Sequence, residues 1–341
     1  MKNFFEGKKI LVTGGTGSIG LEIVKELLKY KPAQIRIFSR NEAKQVEVYR
    51  ELKNNHNLRF LLGDVRDISR LKMAVKGIDI IFHAAALKHI PLCEYNPFEA
   101  FKTNVAGTQN LIEAALEEDV DRFLAISTDK AVNPVSTLGA TKLLSERLVL
   151  ATYYYKWRET KFACVRFGNV LGSSGSVIPL FREQIAKGGP VTITDSGMTR
   201  FVMSINQAVK LILKACAEMK EGEIFILKMP VLRVVDLAEV MIEELAPKYG
   251  FKPEKIKVET VGMRNGEKIH EELMTAEEAS NALETDDMFI ILPHIYTPHL
   301  EHFKKDVKYS GKPVKGGYCS RDAKPMTKNE IREFLYKEKI I

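Results

Sequence analysis

The stretch Thr13-Gly14-Gly15-Thr16-Gly17-Ser18-Ile19-Gly20 decides the fold of this 341-residue chain. It follows an apolar run, Lys9–Thr13, that predicts a β-strand, and it opens a pattern of helical period, Ile19–Tyr30. Glycines at these spacings allow a tight turn, let the backbone approach a pyrophosphate at the helix N-terminus and let the helix pack on the strand. The context predicts a dinucleotide site contacted by Gly14, Thr16, Gly17, Ser18, Ile19 and Gly20.

Apolar runs continue to alternate with helical patterns up to residue 168. Further strands are predicted at Gln34–Phe38, Leu58–Leu62, Ile78–Phe82, Arg122–Ile126 and Phe162–Arg166. Such alternation predicts an α/β, Rossmann-like, doubly wound parallel sheet that binds ligands at the carboxyl ends of its strands.

Beyond residue 168 the pattern changes to loops rich in Gly, Ser and Pro and to shorter, mixed elements. A helical pattern at Ser204–Met219 and a strand at Glu223–Leu227 are expected to return to the first domain. The predicted division is therefore residues 1–168 plus about 200–230 for the nucleotide-binding domain. A smaller mixed α/β substrate domain takes about 169–199 plus 231–341.

Composition excludes several classes of protein. With 45% hydrophobic and 28% charged residues, the chain is typical of a soluble globular protein. Four scattered cysteines and no paired His or Cys spacing predict neither disulfides nor a metal site, and favour the cytoplasm. No apolar run approaches the ~18 residues of a membrane span.

The net charge of +7 is concentrated at the end of the chain, because the segment Lys304–Ile341 carries eleven Lys or Arg against five Asp or Glu. This segment lacks the interleaved aromatics and motifs of nucleic-acid binding, so we expect no nucleic-acid partner. A solvated surface is the favoured interpretation, and a weak membrane-surface or partner contact is the alternative.

The residues after the second strand bear on the choice of cofactor. An NAD site places Asp or Glu there for the ribose 2′-hydroxyl, whereas this chain has Ser39, Arg40 and Lys44. Donors and positive charges suit a 2′-phosphate, so NADP is favoured over NAD. The alternative is that Arg40 is a surface residue beside Glu42. Further cofactor contacts are expected from Asp64, Val65, Ala84, Ala85, Ala86, Lys88, Asn104 and Lys142.

Later segments occur in an order shared with one group of enzymes. They are His83–Pro91, Ser127–Pro134, Gly139–Lys142, Arg166–Asn169, Met198–Phe201 and Gly266–Lys268. Together with the glycine loop, they resemble the extended short-chain dehydrogenases/reductases. Within that superfamily they resemble the UDP-N-acetylglucosamine 4,6-dehydratases of bacterial polysaccharide and flagellin-glycan biosynthesis. The resemblance covers residues 5 to about 290. Its most specific element, Thr128-Asp129-Lys130, differs from the Thr-Asp-Glu of deoxyhexose-pathway dehydratases and from the epimerases.

The resemblance implies a reaction on UDP-N-acetylglucosamine. Enzymes of this group oxidise sugar carbon 4 with NADP, eliminate water across carbons 5 and 6 and return the hydride to carbon 6, here with expected inversion at carbon 5. Asp129 is expected to be the acid for the 6-hydroxyl, Lys130 the base at carbon 5 and Thr128 the hydrogen-bond partner of the 4-oxygen. We expect burial and the positive charge of Lys142 to lower the pKa of Lys130.

One position departs from the superfamily pattern. Lys142 is expected to hold the nicotinamide ribose, and the tyrosine usual four residues earlier is replaced by Leu138, which carries no proton. The base for the 4-hydroxyl is left open, and a catalytically inactive NADP-binding scaffold is one alternative. A nucleotide-sugar 4-epimerase or reductase is another. Lys130 argues against it, because an epimerase needs no base at carbon 5.

The resemblance also assigns substrate contacts in the second domain. Arg200 and Arg264 are expected to bind the UDP diphosphate, because guanidinium offers paired donors to phosphate oxygens. Glu267 is expected near the uridine ribose, and Lys88 at either the cofactor phosphate or the sugar. The rest of the groove is assigned to Asn169, Val177 and Thr194. A homo-oligomer is expected, formed through the helices Ala100–Leu116 and Leu138–Tyr155.

Overall fold

The computed structural model describes residues 2–155, 159–172, 177–293 and 309–341. Residues 173–176, within a predicted loop, and residues 304–308, at the start of the basic segment, lie outside the described residues. Within the described ranges, no helix is long and apolar enough to cross a membrane.

The strands and helices alternate through the first half of the chain. The strands are β1 (Lys9–Thr13), β2 (Gln34–Ser39), β3 (Leu58–Leu62), β4 (Ile80–His83), β5 (Arg122–Ile126), β6 (Lys161–Arg166), β7 (Asn169–Val170), β8 (Val191–Ile193), β9 (Thr199–Met203), β10 (Ile224–Leu227), β11 (Val231–Arg233), β12 (Val258–Thr260), β13 (Glu272–Met274), β14 (Ala282–Glu284), β15 (Met288–Ile291), β16 (Lys312–Pro313) and β17 (Tyr318–Cys319). The α-helices are α1 (Lys2–Phe5), α2 (Ser18–Leu28), α3 (Glu42–Leu52), α4 (Ile68–Val75), α5 (Ile90–Tyr95), α6 (Pro97–Ala100), α7 (Gly107–Glu117), α8 (Thr137–Tyr155), α9 (Val177–Ala186), α10 (Ile205–Glu218), α11 (Val234–Leu245), α12 (Ala276–Ala279) and α13 (Lys328–Lys337).

A sheet of ten strands, counted over the described residues, forms the centre of the molecule. Its order is β3-β2-β1-β4-β5-β6-β10-β15-β14-β16, and the first seven of these strands are parallel. Strand order reverses between β1 and β4, which opens a crevice at their carboxyl ends. The predicted α/β, Rossmann-like parallel sheet is therefore confirmed.

Apolar residues on both faces explain why these strands form. Ile10, Leu11 and Val12 of β1 are fully buried, as expected for a strand covered by helices on both sides. The predicted helix Ala100–Leu116 is also present, and a π-helical turn, Phe101–Ala106, joins α6 to α7 within it.

Residues after 168 build smaller sheets and a second apolar core. One sheet has the order β11-β9-β7, and β8 pairs with β12. Helices α9, α11 and α13 pack a separate cluster that includes Phe181, Leu237 and Leu335. The division of the chain into two domains stays a prediction.

Strands β14, β15 and β16 differ from the expected arrangement. They come from a stretch that the sequence assigned to the second domain, yet they extend the central sheet. Strand β10 would otherwise leave its backbone groups unpaired at a sheet edge, and β15 satisfies them in antiparallel register.

Part of the basic C-terminal segment faces acidic side chains of α11. Lys328 lies 2.6 Å from Glu239, and Arg332 lies 2.6 Å from Glu244. Exposed ion pairs contribute little stability, and the buried Ile331 does more to hold α13 in place. These positive charges thus meet the chain's own carboxylates instead of solvent alone.

Candidate active site

A cavity of about 560 Å³ lies at the carboxyl ends of the parallel strands. Every residue that the sequence predicted for cofactor binding lines it except Asn104. Asn104 lies behind the wall: its Oδ1 accepts from the backbone N–H of Leu87 at 2.8 Å, and its Nδ2 donates to the Leu87 carbonyl at 3.1 Å. It therefore holds the loop after β4, because that loop has no partner strand for its backbone groups.

The glycine loop leaves space for a group pressed against the backbone. A Cβ on Gly20 would lie 2.3 Å from the carbonyl oxygen of Gly14, so no side chain fits there. Helix α2 begins at Ser18, and its N-cap residue Gly17 offers no side chain to the first turn. A helix N-terminus that opens into a cavity suits a pyrophosphate.

The end of β2 presents positive charge to the same cavity through Arg40 and Lys44, beside the hydroxyl of Ser39. The neighbouring carboxylate, Asp64, lies 2.7 Å from Arg66 and 3.4 Å from Arg40. Burial alone would raise the pKa of Asp64, but hydrogen bonds and charge from Arg66 and Arg40 lower it overall. With Asp64 neutralised by Arg66, these residues fit a phosphate on the ribose 2′ position.

His83 forms a buried polar link behind the cavity floor. Thr108 donates its hydroxyl to the Asn104 carbonyl at 2.6 Å, so it accepts from His83 Nε2 at 2.9 Å. His83 Nδ1 therefore accepts from Thr13 Oγ1 at 2.7 Å. Burial and the charge of Lys142 lower the pKa of His83 to about 3, so the ring is neutral.

The predicted catalytic residues meet on a 3₁₀ turn, Asp129–Ala131, directly after β5. Asp129 is fully buried, and its Oδ1 accepts from Thr128 Oγ1 at 2.6 Å and from Lys130 Nζ at 3.0 Å. Thr128 and Lys130 line the cavity, whereas Asp129 lies beneath them. The turn forms here because the Thr128 side chain caps it by accepting from the Lys130 N–H.

The two lysines of the site differ in the direction of their pKa shifts. Burial lowers the pKa of Lys142, whose Nζ donates to the Ile126 carbonyl at 2.7 Å. Burial also acts to lower the pKa of Lys130, but the carboxylates of Asp129 and Glu271 outweigh it and raise that pKa. The expected lowering at Lys130 is therefore wrong, because the Asp129 carboxylate beside it raises the pKa and Glu271, a neighbour that the sequence did not reveal, adds to that effect.

Leu138 occupies the place of the usual tyrosine. It lies one helical turn before Lys142 on α8, lines the cavity and is only 4% exposed. Its side chain packs in a small apolar cluster with Cys93 and Ala100. A leucine there fills space and excludes water, and it offers no proton.

Arg200, predicted to contact the UDP diphosphate, binds backbone carbonyls of a neighbouring segment in this structure. Its Nη1 donates to the carbonyls of Thr199 at 2.7 Å and Ile269 at 3.0 Å, and its Nη2 donates to the Lys268 carbonyl at 2.9 Å and contacts a methionine sulfur. Its Nε lies 3.6 Å from Glu271. All of its nitrogens are thus engaged away from the cavity. β9 directs the side chain towards residues 268–271, and the diphosphate contact of Arg200 stays a prediction.

The other predicted substrate residues are spread over the second half of the chain. Asn169 lines the cavity, whereas Val177 begins α9 and Thr194 follows β8, both outside it. Arg264 and Glu267 close an exposed turn, in which the Glu267 side chain accepts from the Arg264 backbone N–H at 3.2 Å.

Gly266 brings that turn close to the catalytic loop. A Cβ on Gly266 would lie 2.8 Å from Cβ of Ser136 and 3.0 Å from the Ile90 side chain. The turn therefore packs against the residues that precede α8, near the cavity, although neither Arg264 nor Glu267 lines it.

Comparison with known proteins places these features among nucleotide-sugar enzymes. Residues 10–293 match the profile of a family described as polysaccharide biosynthesis protein. A protein of Methanocaldococcus jannaschii, described as an uncharacterized membrane protein, is 56% identical over 336 residues, 98% of this chain and 97% of that one. A UDP-N-acetylglucosamine 4,6-dehydratase (inverting) of Campylobacter jejuni is 40% identical over 337 residues, 96% of each chain. A UDP-glucose 4-epimerase of Rickettsia rickettsii is 37% identical over 344 residues, 97% of this chain and 96% of the other.

Solved structures agree with the fold. The X-ray structure of Pen from Bacillus thuringiensis superposes with a TM-score of 0.90 at 44% identity and covers 98% of both chains. DesIV of Streptomyces venezuelae, a dTDP-glucose 4,6-dehydratase with NAD bound, has a TM-score of 0.68 at 25% identity over 76% of this chain and 86% of that one. The solved neighbours thus share the Rossmann-like fold of this chain, and DesIV is one that holds NAD.

Proposed function

The chain belongs to the polysaccharide biosynthesis protein family of the extended short-chain dehydrogenases/reductases, and we propose that it is an NADP-dependent UDP-N-acetylglucosamine 4,6-dehydratase that inverts carbon 5. The observation that carries this proposal is the turn Thr128-Asp129-Lys130, in which Thr128 and Lys130 line the cofactor cavity and the buried Asp129 accepts from Lys130 Nζ at 3.0 Å. The identity to inverting dehydratases over nearly the whole chain supports it.

Bound NADP supplies the acceptor and donor of hydride, and the chain supplies its cradle. The glycine loop and the start of α2 receive the pyrophosphate. Ser39, Arg40 and Lys44 receive the 2′-phosphate. Lys142 is placed to hold the nicotinamide ribose from α8.

The pair Asp129 and Lys130 provides both groups that elimination needs. In the free protein the two are an ion pair. Transfer of one proton from Lys130 Nζ to Asp129 Oδ1 gives a carboxylic acid and a neutral amine. The amine then takes the proton of carbon 5, the acid protonates the 6-hydroxyl, water leaves, and the ion pair is restored. When hydride returns to carbon 6, carbon 5 takes up one proton from solvent, which balances the proton lost from the 4-hydroxyl.

Lys142 is our choice for the proton of the 4-hydroxyl, which Leu138 cannot take. Its lowered pKa increases the fraction of neutral amine, and it lines the same cavity as Thr128. The Thr128 hydroxyl remains the hydrogen-bond partner proposed for the 4-oxygen.

Two alternatives have specific support. The epimerase relative favours a 4-epimerase, but that reaction needs neither an acid at carbon 6 nor a base at carbon 5. Leu138 favours an inactive NADP-binding scaffold, but the assembled pair Asp129 and Lys130 argues against it.

The test is incubation with UDP-N-acetylglucosamine in heavy water, followed by mass spectrometry. We expect a product lighter by one water, with deuterium at carbon 5. Lys130→Ala is expected to lose this product and keep NADP binding. The control Lys76→Ala removes an exposed lysine that lies between α4 and β4 and does not line the cavity, and it is expected to behave as wild type. A product of unchanged mass indicates the epimerase, and NADP binding without turnover indicates the scaffold.

A second expectation concerns substrate binding. Arg264 is exposed, and among the described residues its side chain forms no ion pair, since Glu267 binds only its backbone N–H. We therefore assign Arg264 to the diphosphate. Arg264→Ala is expected to weaken UDP binding about tenfold and leave NADP binding unchanged, on the scale of a charge-assisted hydrogen bond. Calorimetry with each ligand measures both, and unchanged UDP affinity would reject the assignment.

We also propose a cytoplasmic location. All four cysteines are free thiols, which suits a reducing compartment.

A further inference from the structure

Glu271 is a buried carboxylate beside the catalytic turn that the proposed reaction does not use. It is 3% exposed and directly precedes β13. Its Oε1 lies 3.6 Å from Lys130 Nζ, and within the described residues its buried Oε2 has no hydrogen-bond partner. Its backbone N–H donates to Ser320 Oγ at 2.8 Å. A buried carboxylate with one oxygen left without a hydrogen bond is costly, so its place next to the lysine calls for a role.

Arg200 fixes the segment that carries Glu271. Its guanidinium binds the carbonyls of Lys268 and Ile269 and lies 3.6 Å from Glu271 Oε1. The carboxylate is therefore shared between two cations, Arg200 and Lys130. Arg200 thus helps to set the position of Glu271.

Two further bonds tie this segment to the catalytic turn. Lys268 Nζ donates to the Val132 carbonyl at 2.6 Å, and Asn133 Nδ2 donates to Glu272 Oε2 at 2.6 Å. Lys268 precedes Glu271 in the chain and Glu272 follows it, so the two bonds hold the segment on both sides of Glu271. The distance between Glu271 and Lys130 is thus set by the surrounding contacts and not by the ion pair alone.

We propose that Glu271 is a positioning residue that anchors the Nζ of Lys130 while Asp129 changes its charge. The inference rests on the proposed function, in which Lys130 acts as base. When Asp129 takes the proton of Lys130, both groups become neutral and the ion pair between them is lost. The Glu271 carboxylate remains as an acceptor for an N–H of the neutral amine, and so keeps the amine at the place from which it reaches carbon 5.

The charge of Glu271 also affects when Lys130 gives up its proton. The charged and titratable groups on the elements around this pair are Asp129 on the turn, Lys142 on α8, Arg200 on β9, Lys268 and His270 before Glu271, Glu272 after it and Cys319 opposite on β17. The carboxylates raise the pKa of Lys130, and Arg200 lowers it. Loss of the Glu271 charge therefore lowers that pKa.

The test compares Glu271→Gln with Glu271→Asp and with a matched control, Glu272→Gln. The control removes one charge at the next residue and keeps an oxygen for Asn133. Turnover of UDP-N-acetylglucosamine is measured across pH, with NADP affinity by calorimetry and thermal unfolding in parallel. For Glu271→Gln we expect kcat to fall about tenfold to a hundredfold, KM to stay within about threefold, and the rising limb of the pH–rate profile to move to lower pH.

The variants distinguish a positioning role of Glu271 from a structural one. Glu271→Asp is expected to return the limb towards its wild-type position, because the charge is restored. A Glu271→Gln profile that matches Glu272→Gln overturns the inference, as does a loss of kcat accompanied by an equal loss of NADP affinity and stability, which indicates a structural role. Absence of water loss with the wild type rejects the proposed function first, and the inference fails with it.

Discussion

Single side chains at the end of β2 bear on the choice between NADP and NAD. Arg40→Asp is expected to shift preference towards NAD by about 1–3 kcal/mol, the scale of a charge-assisted hydrogen bond. The new carboxylate repels a 2′-phosphate and accepts from a 2′-hydroxyl. Calorimetric titration with both cofactors measures the shift, and Arg50→Asp at the far end of α3 serves as the control. Equal affinity of the wild type for both cofactors contradicts the assignment.

Leu138 is expected to be compatible with activity. Leu138→Met keeps volume and polarity nearly constant in the cluster with Cys93 and Ala100, so stability should change by less than about 1.5 kcal/mol and turnover should remain near wild type. Leu138→Tyr is expected to add nothing, because Lys142 takes the proton in our proposal. Steady-state turnover of the three forms checks this. An inactive wild type that Leu138→Tyr switches on would instead indicate a repurposed site.

Residue roles could be predicted from the sequence only where a motif carries them. The glycine loop and the turn Thr128–Lys130 lie in short contiguous motifs, and the structure brings them to one cavity. Glu271 and Arg200 act through a contact between segments that are 71 residues apart in the sequence. In the sequence, a Glu within a run of charged residues has the pattern of a surface residue, so the burial of Glu271 could not be predicted. The Glu271 carboxylate adds to the rise in the Lys130 pKa that Asp129 causes, and the sequence did not reveal that addition.

At the scale of elements, the parallel strands were predictable and the short antiparallel edge strands were not. Strands β1 and β5 match their predicted ranges because continuous apolar runs mark buried strands, and β3, a half-exposed edge strand, matches its range as well. Strands β14 to β16 are short, with mixed exposure, and their pairing to β10 depends on which sheet edge needs covering. No local pattern contains that information.

His83 joins Thr13 of β1 to Thr108 of α7 by two hydrogen bonds, and its titration makes the free energy of unfolding depend on pH. The pKa of His83 falls from 6.5 to about 3 on folding, so the unfolded chain binds a proton that the native protein does not. The contribution of His83 to the free energy of unfolding is fully present above pH 6.5 and is lost as pH falls towards 3. At pH 5 the loss should reach about 2 kcal/mol.

Urea unfolding of the wild type and of His83→Gln at pH 7.5 and pH 5 measures this loss. Glutamine can donate to Thr108 and accept from Thr13, so the variant keeps the link without the titration. The stability difference between the two proteins should narrow by about 2 kcal/mol at the lower pH, since other titrating groups cancel in the comparison. A constant difference shows that the ring is not held neutral.

At the scale of the whole molecule, the active site depends on segments from both halves of the chain. The central sheet supplies the cofactor cavity and the catalytic turn, whereas residues 264–272 reach that turn from the second half of the chain. Asp129 and Lys130 can therefore act as described only when the two parts of the chain are assembled. The sheet alone provides a cofactor site without the anchor for its lysine.

The molecule also exposes apolar side chains next to this site. Tyr95 is 86% exposed, Phe98 80% and Phe101 51%, all at or just before the helix Ala100–Leu116 predicted to form an oligomer interface. A cluster of exposed aromatics is unusual on a monomer surface. We propose that a second copy of this chain covers these aromatic side chains, because the superfamily resemblance assigns the helix Ala100–Leu116 to self-association.

Light scattering at micromolar concentration is therefore expected to give a mass that is a multiple of 38.6 kDa. The double variant Tyr95→Glu and Phe98→Glu should shift it towards 38.6 kDa, because burying either charge in an apolar contact is costly. Tyr249→Glu, on the 3₁₀ turn Pro247–Tyr249, changes an exposed aromatic elsewhere and should leave the mass unchanged. A monomeric wild type, or a double variant that keeps the wild-type mass, assigns these aromatics to something other than self-association. Cofactor affinity should stay near wild type in every variant, because none of the three substituted residues lines the cavity.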